Sequence, residues 1–85
     1  MSVNIVLVDD HQLVRDGFQK IIEMSNEFTI TGSFASAQAT LASSVIATAD
    51  MLITDISLDN DMDGFDLIEQ FKRVNPSAKV IIVSM

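Results

Sequence analysis

Short apolar runs alternate along this 85-residue chain with segments whose apolar residues recur at helical spacing. The runs are rich in Val and Ile, a composition typical of strands buried on both faces of a parallel sheet. They predict strands at residues 3–9, 28–34, 51–55 and 79–84, separated by three helices, the second at about 37–47 and the third at 64–74. A repeated strand–helix alternation requires right-handed crossovers and helices on both faces. The predicted fold class is α/β, with an open parallel sheet.

The composition is that of one small globular domain, with 48% hydrophobic and 20% charged residues. A net charge of −7 argues against a nucleic-acid-binding surface on this chain. Cysteine is absent, which excludes a disulfide framework and a thiolate metal site. No apolar run reaches the roughly 18 residues of a membrane helix, and the first residues lack the features of a signal peptide. We therefore expect a soluble, cytoplasmic protein.

Polar residues stand where three of the predicted strands end. Asp9 and Asp10 follow the first strand, Asp55 closes the third, and Ser84 closes the fourth. The carboxyl ends of neighbouring parallel strands lie about 4.8 Å apart, at the edge where open α/β sheets bind ligands. Mg²⁺ favours one or two carboxylates together with phosphate and water oxygens, and a carboxylate beside such an ion can attack a phosphoryl group. The pattern predicts a magnesium site with Asp55 as the nucleophile.

Each of these residues also has a simpler interpretation. Paired acids after a strand are more often helix caps than metal ligands, an isolated acid at the position of Asp55 is often a turn residue, and Ser84 alone is an ordinary strand end. We interpret His11 as a helix-start residue rather than as a catalytic base. The joint occurrence of these residues, at strand ends and in this order, favours a functional site.

A second acidic segment, residues 59–64, copies the beginning of a calcium-binding EF-hand loop. The loop requires Glu at its twelfth position, which is Gln70 in this chain. A predicted strand precedes the segment, whereas an EF-hand loop follows a helix. We therefore assign no calcium site to it.

Taken together, the acids and the strand-ending Ser resemble the receiver domain of two-component response regulators. The resemblance spans the whole chain and is carried by Val8-Asp9-Asp10-His11, Asp55, Asp63-Gly64 and Ser84. Residues 8–17 look most like receivers that precede a helix-turn-helix output domain. The resemblance implies a flavodoxin-like sheet of strand order 2-1-3-4-5. We expect this chain, residues 1–85, to form strands 2-1-3-4 of an incomplete receiver, without the fifth strand and the last two helices.

The resemblance also implies a role for each matching residue. A histidine kinase would phosphorylate Asp55, and Asp9 would belong to the acidic pocket. Asp10, Asp55 and the backbone carbonyl of Ser57 would hold Mg²⁺, and the hydroxyl of Ser84 would contact the phosphoryl group. The domain would act in phosphorelay signalling and transcription regulation. It would assist its own phosphorylation and slow dephosphorylation without being an enzyme, and DNA would be bound only by an output domain.

The sequence departs from the family pattern in two places. The loop after Asp55 lacks the usual Met-Pro pair, and Gly64 lies nine residues after Asp55, one more than is usual. No residue matches the pocket lysine or the switch aromatic of the family, since Lys79 begins its predicted strand instead of ending it.

Two other functions remain open at this point. The first is an unphosphorylated interaction module, because an apolar edge such as Val80 to Val83 is a template for strand pairing or domain swapping. The second is a magnesium-dependent phosphohydrolase with an aspartyl nucleophile. Such enzymes usually place that nucleophile after the first strand, with another Asp two residues on. Here Asp9 is followed by Asp10 and His11.

Overall fold

The computed structural model describes residues 2–56 and 63–83, and every structural statement below refers to these ranges. The elements in order are β1 (Val3–Val8), α1 (Gln12–Glu23), β2 (Phe28–Phe34), α2 (Ala37–Leu41), a 3-10 helix (Ser44–Thr48), β3 (Met51–Asp55), α3 (Gly64–Val74) and β4 (Lys79–Val83). The strands form one parallel sheet in the order β2-β1-β3-β4. This confirms the predicted α/β class and strand order.

The central strands β1 and β3 are the most deeply buried part of the sheet. They run in parallel with Val6 opposite Leu52, and neither side chain is exposed. Asp50, just before β3, fixes this register through both its side chain and its backbone. Its carboxylate accepts a 2.8 Å hydrogen bond from the backbone N–H of Asn4, and its own backbone N–H donates to the Asn4 carbonyl, also at 2.8 Å.

Side chains alternate between the two faces along each strand, so both faces carry apolar residues. Helices cover both of these faces. α1 packs through Phe18 and Ile22 on one face, which has three buried residues at its centre, Ile5, Leu7 and Ile53. The elements α2, α3 and the 3-10 helix pack on the other face, around nine buried residues: Val6, Val8, Ala37, Ile46, Ala49, Leu52, Leu67, Phe71 and Ala78.

A side-chain cap at the first turn of α3 and an anchored Asn75 just after its last turn agree with the limits predicted from the sequence. The Asp63 side chain accepts a 2.9 Å hydrogen bond from the backbone N–H of Asp66 and so satisfies one of the free donors of the first turn. At the other end, the buried Asn75 amide donates to the carbonyls of Ile46 and Ala49 at 2.9 and 2.7 Å. These bonds join the end of α3 to the segment that leads into β3.

The predicted helix over residues 37–47 is wrong in its second half. Ser36 caps it as expected, accepting from the backbone N–H of Ala39 at 3.1 Å. The α-helix nevertheless ends at Leu41, and a separate 3-10 helix follows. The hydroxyl of Ser43 accepts from the backbone N–H of Val45, and serine side chains of this kind compete with the helical hydrogen-bond ladder.

Two apolar surfaces are more exposed than the sequence indicates. Phe65, an apolar residue in the first turn of α3, is 59% exposed, whereas Leu67 and Phe71 on that helix are fully buried. Within the described residues β4 pairs only with β3, so it is an edge strand, and Ile81 and Ile82 are 44% and 43% exposed. None of the helices in the described ranges has the length and apolar character of a membrane span.

Candidate functional site

Three carboxylates and one imidazole meet at the carboxyl edge of the sheet. Asp9 and Asp10 follow β1, Asp55 ends β3, and the register of these neighbouring strands places Val8 opposite Thr54. One oxygen from each of the three acids and one ring nitrogen of His11 all lie within 4.8 Å of one another. The structure thus brings together the three acids that the sequence singled out. We call Asp9, Asp10, His11 and Asp55 the acidic cluster.

The carboxylates of the acidic cluster are largely removed from water. Asp9 is 3% exposed and Asp55 7%, and the Asp10 side chain is 12% exposed. Neighbouring negative charges in such a setting destabilise one another unless a cation or hydrogen-bond donors compensate them. Asp10 Oδ1 is buried and lies 2.9 Å from Nδ1 of His11, an ion-pair distance, but it accepts no aligned hydrogen bond among the described residues. A buried carboxylate oxygen of this kind fits a cation that prefers oxygen ligands.

Both the backbone and the ring of His11 contact the acids of the cluster. Its backbone N–H donates to Asp9 Oδ1 at 2.8 Å, and its Nδ1 lies 3.0 Å from that oxygen and 2.9 Å from Asp10 Oδ1. The hydrogen bond to Asp9, followed by the negative charge of Asp10, raises the pKa of His11 above its ordinary value of 6.5. His11 does occupy the start of α1, but its side chain makes no capping hydrogen bond. The interpretation of His11 as a helix-start residue does not include this contact with the acids, for which the triplet Asp-Asp-His is the sequence signal.

Gly64 fixes the backbone that carries Asp55. Its N–H donates to the Ile56 carbonyl at 2.9 Å. A Cβ at this position would lie only 2.5 Å from the Asp55 carbonyl oxygen and 2.7 Å from the Ile56 Cα, so α3 can begin here only with glycine. The Thr54 hydroxyl donates to the same Asp55 carbonyl at 3.0 Å. The acidic side chain therefore projects from a backbone held by the Thr54 hydroxyl of its own strand and by the first residue of α3.

Two predicted site residues, Ser57 and Ser84, lie outside the described residues, as does most of the segment that resembles an EF-hand loop. Lys79 lies at the amino end of β4, where its backbone N–H donates to the Asp50 carbonyl at 3.0 Å. The acidic cluster is at the opposite, carboxyl edge of the sheet, so Lys79 does not take the place of the family's pocket lysine.

A parallel sheet of order 2-1-3-4 with acids clustered at its carboxyl edge defines a receiver-type domain. The family model described as the response regulator receiver domain matches residues 5–85. The chain belongs to this family: it is a receiver domain, the phosphoacceptor module of two-component signalling.

A transcriptional regulatory protein and a response regulator protein are among the relatives similar to this chain. The transcriptional regulatory protein RcsB of Salmonella typhi is 34% identical over 86 residues, covering 99% of this chain and 40% of that protein. The response regulator protein VraR of Staphylococcus aureus is 29% identical, again covering 99% of this chain and 40% of its own length. The chain thus spans about 40% of the length of these curated relatives.

Solved structures agree with this assignment. The isolated REC domain of RcsB from Salmonella enterica serovar Typhimurium, in the presence of the phosphomimetic BeF3-, superposes with a TM-score of 0.89 at 32% identity. That match covers 100% of this chain and 63% of the other. A LuxR-family response regulator from Aurantimonas superposes with a TM-score of 0.87 at 25% identity, covering 100% and 60%.

Proposed function

We propose that this chain accepts a phosphoryl group from a histidine kinase on Asp55, with Mg²⁺ held by Asp10, Asp55 and the backbone carbonyl of Ser57. The observation that carries this proposal is the convergence of three largely buried carboxylates at one sheet edge. The RcsB receiver studied with a phosphomimetic supports the same chemistry in a relative.

The chemistry proposed for Asp55 is a direct phosphoryl transfer. One of its carboxylate oxygens forms a bond to phosphorus, while the bond between phosphorus and the donor nitrogen breaks and its electron pair stays on that nitrogen. When bound, Mg²⁺ supplies the charge neutralisation that lets an anionic acceptor approach an anionic phosphoryl group. The Thr54 hydroxyl donates to the Asp55 carbonyl, and the Gly64 N–H donates to the next carbonyl, that of Ile56. These bonds hold the backbone of Asp55 in place, which reduces the reorganisation that the transfer requires.

Asp9 and Ser84 complete the proposed pocket. Asp9 accepts the backbone N–H of His11, a bond that keeps the turn after β1 folded against the acids. Ser84 would donate its hydroxyl to the transferred phosphoryl group. The register that pairs Asp55 with Val83, the residue before Ser84 in the sequence, supports this assignment.

The proposal extends to the setting of the domain. Residues 1–85 would form the receiver part of a cytoplasmic signalling protein, with no catalysis beyond its own phosphorylation and slow dephosphorylation. DNA would be contacted by an output domain, as befits relatives that are transcriptional regulatory proteins. The chain itself, with a net charge of −7, would make no nucleic-acid contact.

The test is mass spectrometry after incubation with Mg²⁺ and acetyl phosphate. We expect the wild type to gain the mass of one phosphoryl group and Asp55→Asn to gain none. Asp50→Asn is the matched control, because Asp50 lies at the other end of β3 and its replacement keeps an acceptor for the Asn4 N–H. Labelling of Asp55→Asn equal to that of the wild type would show that another residue is the acceptor.

A second function is favoured by the β4 edge, where Ile81 and Ile82 are exposed. Such an edge can pair with the same strand of another chain and produce a dimer or a domain-swapped assembly. The labelling experiment separates the two functions when the same samples are analysed by sedimentation. An unlabelled wild type that sediments as a dimer would favour the interaction module, and a labelled monomer would exclude it.

A further inference from the structure

Thr54 places a hydroxyl among the apolar residues of the central strands. It precedes Asp55 on β3 and is fully buried. Val8 on β1 and Ile82 on β4 lie opposite it in the register of the sheet. A valine would fill the same space in a strand without a polar atom, and a buried hydroxyl costs free energy unless it is hydrogen-bonded. Core packing therefore explains the shape of this side chain but not its hydroxyl.

The hydroxyl of Thr54 donates to the backbone carbonyl of the next residue, Asp55, at 3.0 Å. This hydrogen bond closes a short ring of atoms that contains the Asp55 Cα. It therefore restrains the backbone dihedral angles on both sides of the atom from which the carboxylate projects. The backbone of Gly64 closely approaches the same carbonyl oxygen from α3, where an added Cβ would lie only 2.5 Å away.

A restraint on the Asp55 backbone matters for the proposed reaction because phosphoryl transfer depends strongly on the position of the attacking oxygen. The reacting atoms must come within about 3–3.5 Å of each other, and a misplacement of about 1 Å can cost about a hundredfold in rate. Rotation about the backbone bonds of Asp55 would turn its side chain as a whole and move both carboxylate oxygens. The Thr54 hydroxyl opposes this rotation.

We propose that Thr54 is a positioning residue for phosphoryl transfer, whose hydroxyl sets the rate by holding the Asp55 backbone in the orientation that the attack requires. The inference rests on the proposed function, since Asp55 must be the acceptor. It goes beyond that function by assigning an effect on the rate to a residue outside the acidic cluster, and to one hydroxyl group rather than to the side chain as a whole.

The test compares the rates at which variants of the full chain are labelled by acetyl phosphate in the presence of Mg²⁺. Thr54→Val keeps the shape of the side chain and removes the hydroxyl, so we expect labelling about tenfold slower than that of the wild type. Thr54→Ser loses a methyl group and keeps the hydroxyl, so its labelling rate should stay close to that of the wild type. Rescue by serine separates the hydroxyl from the packing of the side chain.

Thr40→Val is the matched control for the loss of a buried hydroxyl. Thr40 is also fully buried, and its hydroxyl donates to a backbone carbonyl, that of Ser36, at 2.8 Å. It belongs to α2 instead of to the strand that carries Asp55. We expect Thr40→Val to be labelled at the wild-type rate. Urea denaturation of each variant, followed by circular dichroism, establishes that the fold is retained.

Carbon-13 NMR of the Asp55 carbonyl gives a second readout that does not depend on phosphorylation. The carbonyl signal, correlated with the backbone N–H of Ile56, responds to a hydrogen bond at the carbonyl oxygen. Its chemical shift should change in Thr54→Val. It should stay close to the wild-type value in Thr54→Ser and in Thr40→Val.

The outcomes separate this inference from the proposed function. If Thr54→Val is labelled as fast as the wild type, or Thr54→Ser as slowly as Thr54→Val, the inference is wrong while Asp55 stands as the acceptor. Equal slowing of Thr40→Val and Thr54→Val would assign the effect to lost stability and would also overturn the inference. If the wild type is not labelled, or Asp55→Asn is labelled equally fast, the proposed function fails and the inference fails with it.

Discussion

The helices α1 and α3 lie on opposite faces of one sheet and carry similar apolar repeats, yet they are buried to very different degrees. α3 contributes three buried residues, Gly64, Leu67 and Phe71, whereas α1 contributes none. α3 shares its face with α2 and the 3-10 helix around nine buried residues, and α1 covers a cluster of three. An apolar repeat predicts which side of a helix faces the sheet. How deeply that side is buried depends on the neighbouring elements.

The starts of these helices differ as well. α3 begins at a conventional side-chain cap, Asp63. The corresponding residue of α1, His11, directs its ring to the acids instead of to its own helix. α3 therefore serves mainly as part of the core, and the start of α1 serves the acidic cluster.

The largest expected difference between the helices comes from removing one aromatic ring from each. Phe71 is fully buried, so Phe71→Ala should lower the free energy of unfolding by about 3–5 kcal/mol. Phe18 is only partly buried, and Phe18→Ala should cost less than half as much. Urea denaturation followed by circular dichroism measures both losses. Because a domain of this size has little stability to lose, the milder Phe71→Leu provides a folded comparison. Equal losses at the two positions would contradict the unequal burial.

Glycine-to-alanine substitutions should change stability in opposite directions in the two helices. Gly17 has no atom within 4 Å of the site of an added Cβ, so Gly17→Ala should stabilise α1 by up to about 1 kcal/mol. Gly64→Ala would place a Cβ against the Asp55 carbonyl and should destabilise the chain by more than about 1 kcal/mol. It should also slow labelling by acetyl phosphate, because the backbone of Asp55 must move. A stabilising Gly64→Ala with unchanged labelling would show that the close approach has no role.

The smallest effect expected is on the protonation of His11. Its pKa in the metal-free chain should lie above 6.5, because the hydrogen bond to Asp9 and the charge of Asp10 favour the protonated ring. A raised pKa means that this contact stabilises the folded state below about pH 6.5 and that the contribution disappears as the pH rises through the folded-state pKa. NMR titration of the single His would measure it. In Asp9→Asn the pKa should move down toward its ordinary value, and an unchanged pKa would contradict the hydrogen bond.

Most of the fold was predictable because its signals are local. The limits of α3 follow from residues that act on their immediate neighbours, the cap at Asp63 and the Pro after Asn75. The predicted end of the second helix was wrong for an equally local reason. The Ser43 side chain accepts a backbone hydrogen bond and competes with continuation of the helix. The exposure of Phe65 and of β4 was not predictable in this way, because it depends on which elements pack beside them.

The acidic cluster was predictable in part, for a geometric reason. Parallel strands bring their carboxyl ends to one edge, so Asp9, Asp10 and Asp55 had to approach one another once the sheet was assumed. The residue pattern places His11 and Gly64 near this edge, but their contacts with the acids and with the Asp55 carbonyl depend on distances of tenths of an ångström that follow from the packing of the whole chain. The roles of Ser57 and Ser84 stay predictions, since both lie outside the described residues.

The pairing of β1 with β3 has a consequence for the order of events during synthesis. β1 leaves the ribosome first, but its partner on one side begins only at Met51, and the Asp50 carboxylate that holds Asn4 is made just before it. At roughly 5–20 residues per second, that interval lasts a few seconds. During this interval β1 has no partner strand until β2 is made, and then only β2 until β3 follows. Contacts between residues so distant in sequence also slow folding itself. β1 is therefore synthesised first, but it gains its second partner strand only after β3 has been made.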